Sequence, residues 1–84
     1  MSASPEVEAR VLVYGKPECH LCDVALEVVE RVCAETGHGF SSVDISDSAE
    51  LRARFGEFIP VVFVDGRQLD FFRVDEQRLR AALG

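Results

Sequence analysis

Val11-Leu12-Val13-Tyr14-Gly15-Lys16-Pro17-Glu18-Cys19-His20-Leu21-Cys22 is the stretch from which the rest of the chain can be read. A short apolar run rich in β-branched and aromatic residues predicts a strand. The segment after the cysteines is amphipathic at helical spacing, so Cys19 is expected at a helix N-terminus. There the unpaired backbone N–H groups and the helix dipole favour negative charge on sulfur. The thiolate is the attacking species in thiol chemistry, and this position lowers a cysteine's pKa. Cys22 lies over the same helical face and can close a disulfide across one turn. Strand, CxxC and helix in that order predict a redox site.

The rest of the chain extends this start. The helix should run from about Leu21 to Glu35, burying Ala25, Val28, Val29 and Val32 and turning Asp23, Glu27, Glu30 and Arg31 outward. Gly37-His38-Gly39 should stop it. Phe40 to Ile45 reads as a second strand. Asp47 with Glu50 resembles a capping box and opens a short helix to about Phe55. Val61 to Val64 is a third strand, Asp65-Gly66 a tight hairpin turn, and Gln68 to Phe72 the returning strand. A last helix from about Asp75 to Leu83 buries Leu79, Ala82 and Leu83. The order β-α-β-α-β-β-α predicts an α/β fold in which a four-stranded mixed sheet is flanked by helices. The first two strands are parallel, because a helix joins them, and the last two antiparallel.

Composition sets the bounds. The chain has 84 residues, enough for one small domain, expected over residues 9–84, with 1–8 a loose polar start. A net charge of −6 argues against nucleic acid and anionic membrane as partners. No signal peptide is visible, and no apolar run approaches the length of a membrane span. Three cysteines suit a reducing compartment better than a disulfide scaffold, so a cytoplasmic location is expected; a monomer is expected as well. Lys16 is the only lysine among nine basic residues, which singles it out beside the CxxC.

Two motifs now point to a family. Tyr14-Gly15-Lys16-Pro17-Glu18-Cys19-His20-Leu21-Cys22 resembles the glutaredoxin active-site pattern, aromatic-x-Lys-Pro-x-Cys-x-x-Cys. Downstream, Phe58-Ile59-Pro60-Val61-Val62-Phe63-Val64-Asp65-Gly66 is similar to the family's Val-Pro-x-Val-Phe-Ile-x-Gly stretch. The resemblance runs from about Val11 to the chain end. It implies a thioredoxin-like fold with Ile59-Pro60 in the cis form beside the cysteines. The chain also departs from the pattern. His20 and Leu21 stand where glutaredoxins usually carry proline and an aromatic residue. Phe71-Phe72-Arg73-Val74-Asp75 lacks the Gly-Gly pair that precedes the acidic residue holding the amino end of glutathione. Asp75 can stand in for that acid, but bulk replaces the missing glycines. The closer resemblance is to short glutaredoxin-like proteins, and weak use of glutathione is expected.

The resemblance and the residues together imply a mechanism. Cys19 attacks a substrate disulfide, and Cys22 resolves the mixed disulfide. Pro60 keeps its strand end rigid, the Ile59 backbone can pair with an extended substrate, and Lys16 attracts a carboxylate or assists the thiolate. His20, when charged, favours the Cys19 thiolate and tunes the redox pair. No cofactor is required beyond glutathione or another thiol reductant. The partners are a protein or low-molecular-weight disulfide and an unidentified reductase. A metal site is not expected, because only Cys33, His20 and His38 remain as soft ligands, and His20 lies inside the loop itself. Cys33 falls on the apolar stripe as a small buried residue, and His38 is assigned no role. Phe71-Phe72 reads as strand and core packing rather than as a docking patch. Two other classes stay open: an iron–sulfur carrier holding a cluster through Cys19 of two subunits, and a binding module that keeps only the fold.

Overall fold

The computed structural model describes residues 9–84; the expectation of a loose start at 1–8 lies outside them. Four strands, β1 (Val11–Gly15), β2 (Phe40–Asp44), β3 (Val61–Val64) and β4 (Arg67–Phe71), form one sheet in the order β2-β1-β3-β4. β1 runs parallel to β2 and antiparallel to β3, and β3 pairs antiparallel with β4. Three helices, α1 (His20–Thr36), α2 (Ala49–Phe55) and α3 (Glu76–Leu83), cover the sheet, with a 3₁₀ turn at Ile45–Asp47.

Strand alternation divides the core in two. Val11 and Val13 of β1 and Val62 and Val64 of β3 point to one face. There they meet Val29, Val32 and Cys33 of α1 and Leu79 and Leu83 of α3. Each such side chain taken from water contributes about 1.5–3 kcal/mol. The other face carries Tyr14, Phe63, Ile45, Phe55, Ile59 and Val61. Phe55 stacks on Tyr14 at 4.7 Å between ring centroids, and Phe63 meets both rings edge-on. This second cluster includes Cys22 and borders Cys19, so the cysteines rest against an aromatic floor.

The termini of the elements follow local chemistry. α1 ends at Gly37, whose φ of 79° lets its N–H reach Cys33 O at 2.9 Å. The Asp65-Gly66 turn has both residues at positive φ, 53° and 82°, as a two-residue hairpin loop requires. A bulge between Val62 and Phe63 shifts the β3–β4 register. At the end of the sheet where β1 begins, Arg10 donates to both oxygens of Asp65, at 2.9 and 2.7 Å. It also reaches the Leu83 carbonyl at 3.1 Å and His38 Nε2 at 3.3 Å. That clasp, with Arg31–Glu76 at 2.6 Å between α1 and α3, ties the start of β1 and the first helix to α3.

Three local expectations need correction. The second strand stops at Asp44, because Asp44 Oδ1 accepts the Ser46 N–H at 2.8 Å and opens the 3₁₀ turn. Asp47 is consumed in that turn, so the N-cap of α2 is Ser48, whose hydroxyl accepts the Leu51 N–H at 3.1 Å. The pair Phe71-Phe72 is not in the core. Phe71 is 47% and Phe72 42% exposed, and Phe72 leaves the strand in the left-handed region at φ 64°.

Candidate active site

β1, an inner strand, ends at Gly15, and Lys16 follows, exposed. A turn at Pro17-Glu18, with Glu18 at φ 60°, then aims the chain into α1. Cys19 is the N-cap, in extended conformation, and its Sγ accepts the Cys22 N–H at 3.2 Å. Sulfur here takes the place that a serine or aspartate oxygen usually fills at a helix start. The Cys19 and Cys22 sulfurs stand at bonding distance, with Cα atoms 5.2 Å apart. Cys22 is 2% exposed, while Cys19 is only partly covered. Gly15 is what lets Cys22 sit so deep: a Cβ on it would lie 3.1 Å from Cys22 Sγ.

The loop after α2 closes the site from the other side. Ile59-Pro60 is a cis peptide, and Ile59 packs in the same cluster as Cys22 and Cys19. The Ile59 N–H and C=O make no hydrogen bond among the described residues, while the Phe72 N–H is shared between Phe58 O at 3.2 Å and Pro60 O at 2.9 Å. The turn carrying Phe72 is therefore pinned to the proline loop.

A cavity of about 230 Å³ reaches Cys22, lined by Lys16, Pro17, Asp23, Leu26 and Asp44 among others. Hydrogen bonds from Ser46, side chain and backbone, hold the Asp44 carboxyl below the usual carboxylate range. Asp44 thus keeps an anion at the cavity rim, and Lys16 brings a cation. His20, the first residue of α1, is exposed and lines a different cleft, with Leu21, Val24, Phe72 and Arg73. Asp75 lies beyond that cleft as the N-cap of α3. Its Oδ1 accepts the N–H groups of Gln77 at 2.9 Å and Arg78 at 3.1 Å.

Cysteines, proline loop, Lys16 and His20 thus gather at one end of the sheet, and the Asp75 carboxylate is occupied by its own helix. Among the described residues no group of three or more His, Cys, Asp or Glu side chains could hold a metal ion. No helix there is long and apolar enough to cross a membrane. Cys33 is buried, and desolvation pushes its thiol pKa up. The sequence reading missed Gly15, Glu18 and Phe58. Of these, Gly15 alone had a local signal, a glycine at the point where the strand hands over to the cysteines.

The model of the glutaredoxin-like domain (DUF836) matches residues 10–84. The chain belongs to that family. An uncharacterized protein of Mycobacterium tuberculosis (strain ATCC 25618 / H37Rv) is 37% identical over 82 residues, 92% of this chain and 80% of that protein. The X-ray structure of protein XcR50 from X. campestris superposes with a TM-score of 0.73 at 39% identity, covering 87% of this chain and 93% of that one. The holo form of glutaredoxin C1 from populus tremula x tremuloides shares the fold, with a TM-score of 0.58 at 20% identity over 94% of this chain and 86% of that one. The glutaredoxin-like domain therefore has a thioredoxin-like α/β fold, as its two motifs implied.

Proposed function

We propose that this glutaredoxin-like domain is a dithiol thiol–disulfide oxidoreductase. The observation that carries the reading is the cysteine geometry. Cys19 caps α1 and accepts a backbone N–H through sulfur, and the Cys22 sulfur is at bonding distance but nearly inaccessible. Inequality of this kind suits a division of labour, with an outer thiol that meets substrate and an inner one that meets only the outer.

In the reduced protein Cys19 loses its proton to solvent, and the thiolate attacks one sulfur of a substrate disulfide. That S–S bond breaks, the departing thiolate takes up a proton, and a mixed disulfide joins Cys19 to substrate. Cys22 then gives up its proton and attacks Cys19 Sγ. The second substrate sulfur leaves as a thiol, and the protein is left as the Cys19–Cys22 disulfide. Two electrons have passed to substrate, and a thiol reductant returns them. Substrate approaching Cys19 would meet the unpaired Ile59 backbone as an added strand held by Pro60. Lys16 would supply a cation beside the site, and His20 would tune the thiolate when protonated. Asp75 would contribute to the substrate side only through the oxygen its cap leaves free. Absence of a Gly-Gly pair supports weak turnover with glutathione. No resident cofactor is needed, and a reducing compartment such as the cytoplasm would keep the dithiol charged.

A Cys22→Ser variant tests the reading. It should trap a mixed disulfide on Cys19, seen as a mass increase that dithiothreitol removes, while a Cys19→Ser variant should trap none. Trapping on Cys22, or no trapping with any disulfide offered, would overturn it. An anaerobic visible spectrum with thiolate-to-iron absorption bands would favour the cluster carrier instead.

A further inference from the structure

Exposed apolar surface on this domain is gathered rather than scattered. Among the described residues the exposed large hydrophobic side chains are Val24, Phe58, Phe71 and Phe72, at 42, 44, 47 and 42%. The three phenylalanines touch one another. Phe58 meets Phe71 edge-on at 5.9 Å, Phe71 meets Phe72 at 5.1 Å, and Phe58 lies 6.2 Å from Phe72. Val24 faces Phe72 across the cleft beside His20. The result is an aromatic ridge between the proline loop and the first turns of α1.

The ridge is unfavourable for folding alone. Three large rings are left substantially in water where burial would stabilise the chain. Phe72 also holds a left-handed backbone, φ 64°, that is an outlier for a bulky residue and that glycine or asparagine would occupy easily. Two independent penalties at one position, beside the reactive sulfur, point outward to a ligand.

The ridge's surroundings select that ligand. A cleft of about 260 Å³ on one side is lined by Leu21, Val24, Phe72 and Val74, with Arg73 at its rim. One of about 250 Å³ on the other is lined by Phe55, Phe58 and Phe71, with Arg54 at its rim. Both arginines are exposed, and neither forms an ion pair among the described residues, whereas Arg10, Arg31, Arg78 and Arg80 all do. On a chain of net charge −6, two guanidiniums without a carboxylate partner among the described residues flank the apolar ridge, Arg54 lying over the Phe55 ring at 4.9 Å, and form a local basic frame. Resting on the oxidoreductase reading, we infer that this ridge docks a polypeptide substrate whose disulfide cysteine is flanked by a bulky apolar side chain and an acidic residue. The apolar side chain lies on the rings, the acid pairs with Arg54 or Arg73, and the extended backbone meets Ile59. A small charged thiol has no apolar group for three rings. A second copy of the chain, pairing ridge to ridge, would bring the same arginines into its own interface.

The test uses two disulfide-linked peptides, one with Leu and Asp beside the cysteine and one with Ser and Lys, together with hydroxyethyl disulfide. The parent should reduce the Leu/Asp peptide with kcat/KM about tenfold above the Ser/Lys peptide, the size expected for a few good contacts. Phe72→Gly, which relaxes the backbone at that position, should cut the ratio of Leu/Asp peptide to hydroxyethyl disulfide by about tenfold. Phe71→Ser and Arg54→Glu are second variants read by the same ratio, with the circular dichroism melt checked for each. A flat preference, with hydroxyethyl disulfide still reduced, would overturn the docking surface and leave the oxidoreductase reading standing. Anisotropy titration of a fluorescent Leu/Asp peptide carrying serine for cysteine, on the Cys19→Ser/Cys22→Ser protein, separates the two further. Binding there that Phe72→Gly abolishes, without turnover of any disulfide by the parent, would keep the surface and sink the oxidoreductase. A dimer in sedimentation that Phe72→Gly splits would overturn the polypeptide substrate in favour of self-association.

Discussion

On reduction Cys19 should remain the N-cap of α1, with a backbone N–H directed at its sulfur. The Cys22 N–H donates to Cys19 Sγ at 3.2 Å. A hydrogen bond to a charged acceptor contributes about 1.5–3 kcal/mol, and the helix dipole adds about 0.3–1 kcal/mol near a terminus. Partial exposure of Cys19 and the acid Asp23 in the first turn pull the sum toward the lower end. A net of about 2 kcal/mol in favour of the thiolate corresponds to roughly a thirtyfold higher thiolate-to-thiol ratio than in an unstructured chain. The pKa is therefore expected to be depressed. Its sign for stability is fixed: the reduced fold gains fully above the unfolded thiol's titration and loses that gain as pH falls through the folded value. A Cys22→Ser/Cys33→Ser protein isolates Cys19. Its thiolate absorbance at 240 nm should rise at lower pH than that of an unfolded peptide spanning residues 14–22 with the same Cys22→Ser change. Urea denaturation of the same protein should grow more favourable to the fold across that window. Coincident titration of protein and peptide would refute the capping argument, and the nucleophile would then need another source of activation.

Other consequences can be checked directly. Gly15→Ala puts a methyl group 3.1 Å from Cys22 Sγ and 3.3 Å from its Cβ, which the helix backbone fixes in place. Overpacking of that kind should cost about 1–2 kcal/mol in a urea titration, and an unchanged midpoint would mean that Cys22 moves aside. Cys33, buried and with its thiol pKa pushed up by desolvation, should resist iodoacetamide at pH 8 in the native reduced protein and react in denaturant; native labelling would show that the α1 side of the core opens. The hydrogen bond from Arg10 lowers the Asp65 pKa, so this pair stabilises the fold above the ordinary carboxylate range and is lost as pH falls through the folded value. Asp65→Asn should accordingly melt below the parent at pH 7 and alongside it at pH 2. Asp75→Ala removes the cap of α3 and should cost about 1 kcal/mol in the melt.

What could be read in the sequence was what neighbouring residues decide together. β-Branched runs gave β1 and β3, the Asp65-Gly66 pair gave the hairpin, and Gly37 gave the stop of α1. The CxxC at the helix start followed from the same local pattern. Failures came where two local signals compete or where distant residues decide. Asp44, Asp47 and Ser48 are all good caps within five positions, and only the backbone path assigns Asp44 to the 3₁₀ turn and Ser48 to α2. The Arg10 clasp joins residues far apart in sequence, so no window could display it.

Phe71-Phe72 is the most instructive failure. An aromatic pair at a strand end reads as core, because rings are usually buried. Here β4 is an edge strand carrying one extra residue opposite Val62 and Phe63, Phe72 turns left-handed, and both rings stay exposed. The Phe72 turn is a conformation glycine suits, and the glutaredoxin pattern carries its glycines in this region. The backbone path of the family can therefore persist while the residue on it changes. A glycine there would offer bare peptide to a small ligand, and a phenylalanine offers a ring to something larger. Fold and cysteines thus carry the likeness to glutaredoxins, while the proposed choice of substrate would rest on side chains mounted on this turn. Glycine at position 72 should therefore shift the preference between the Leu/Asp peptide and hydroxyethyl disulfide, and an unchanged preference would refute the docking role of the ring.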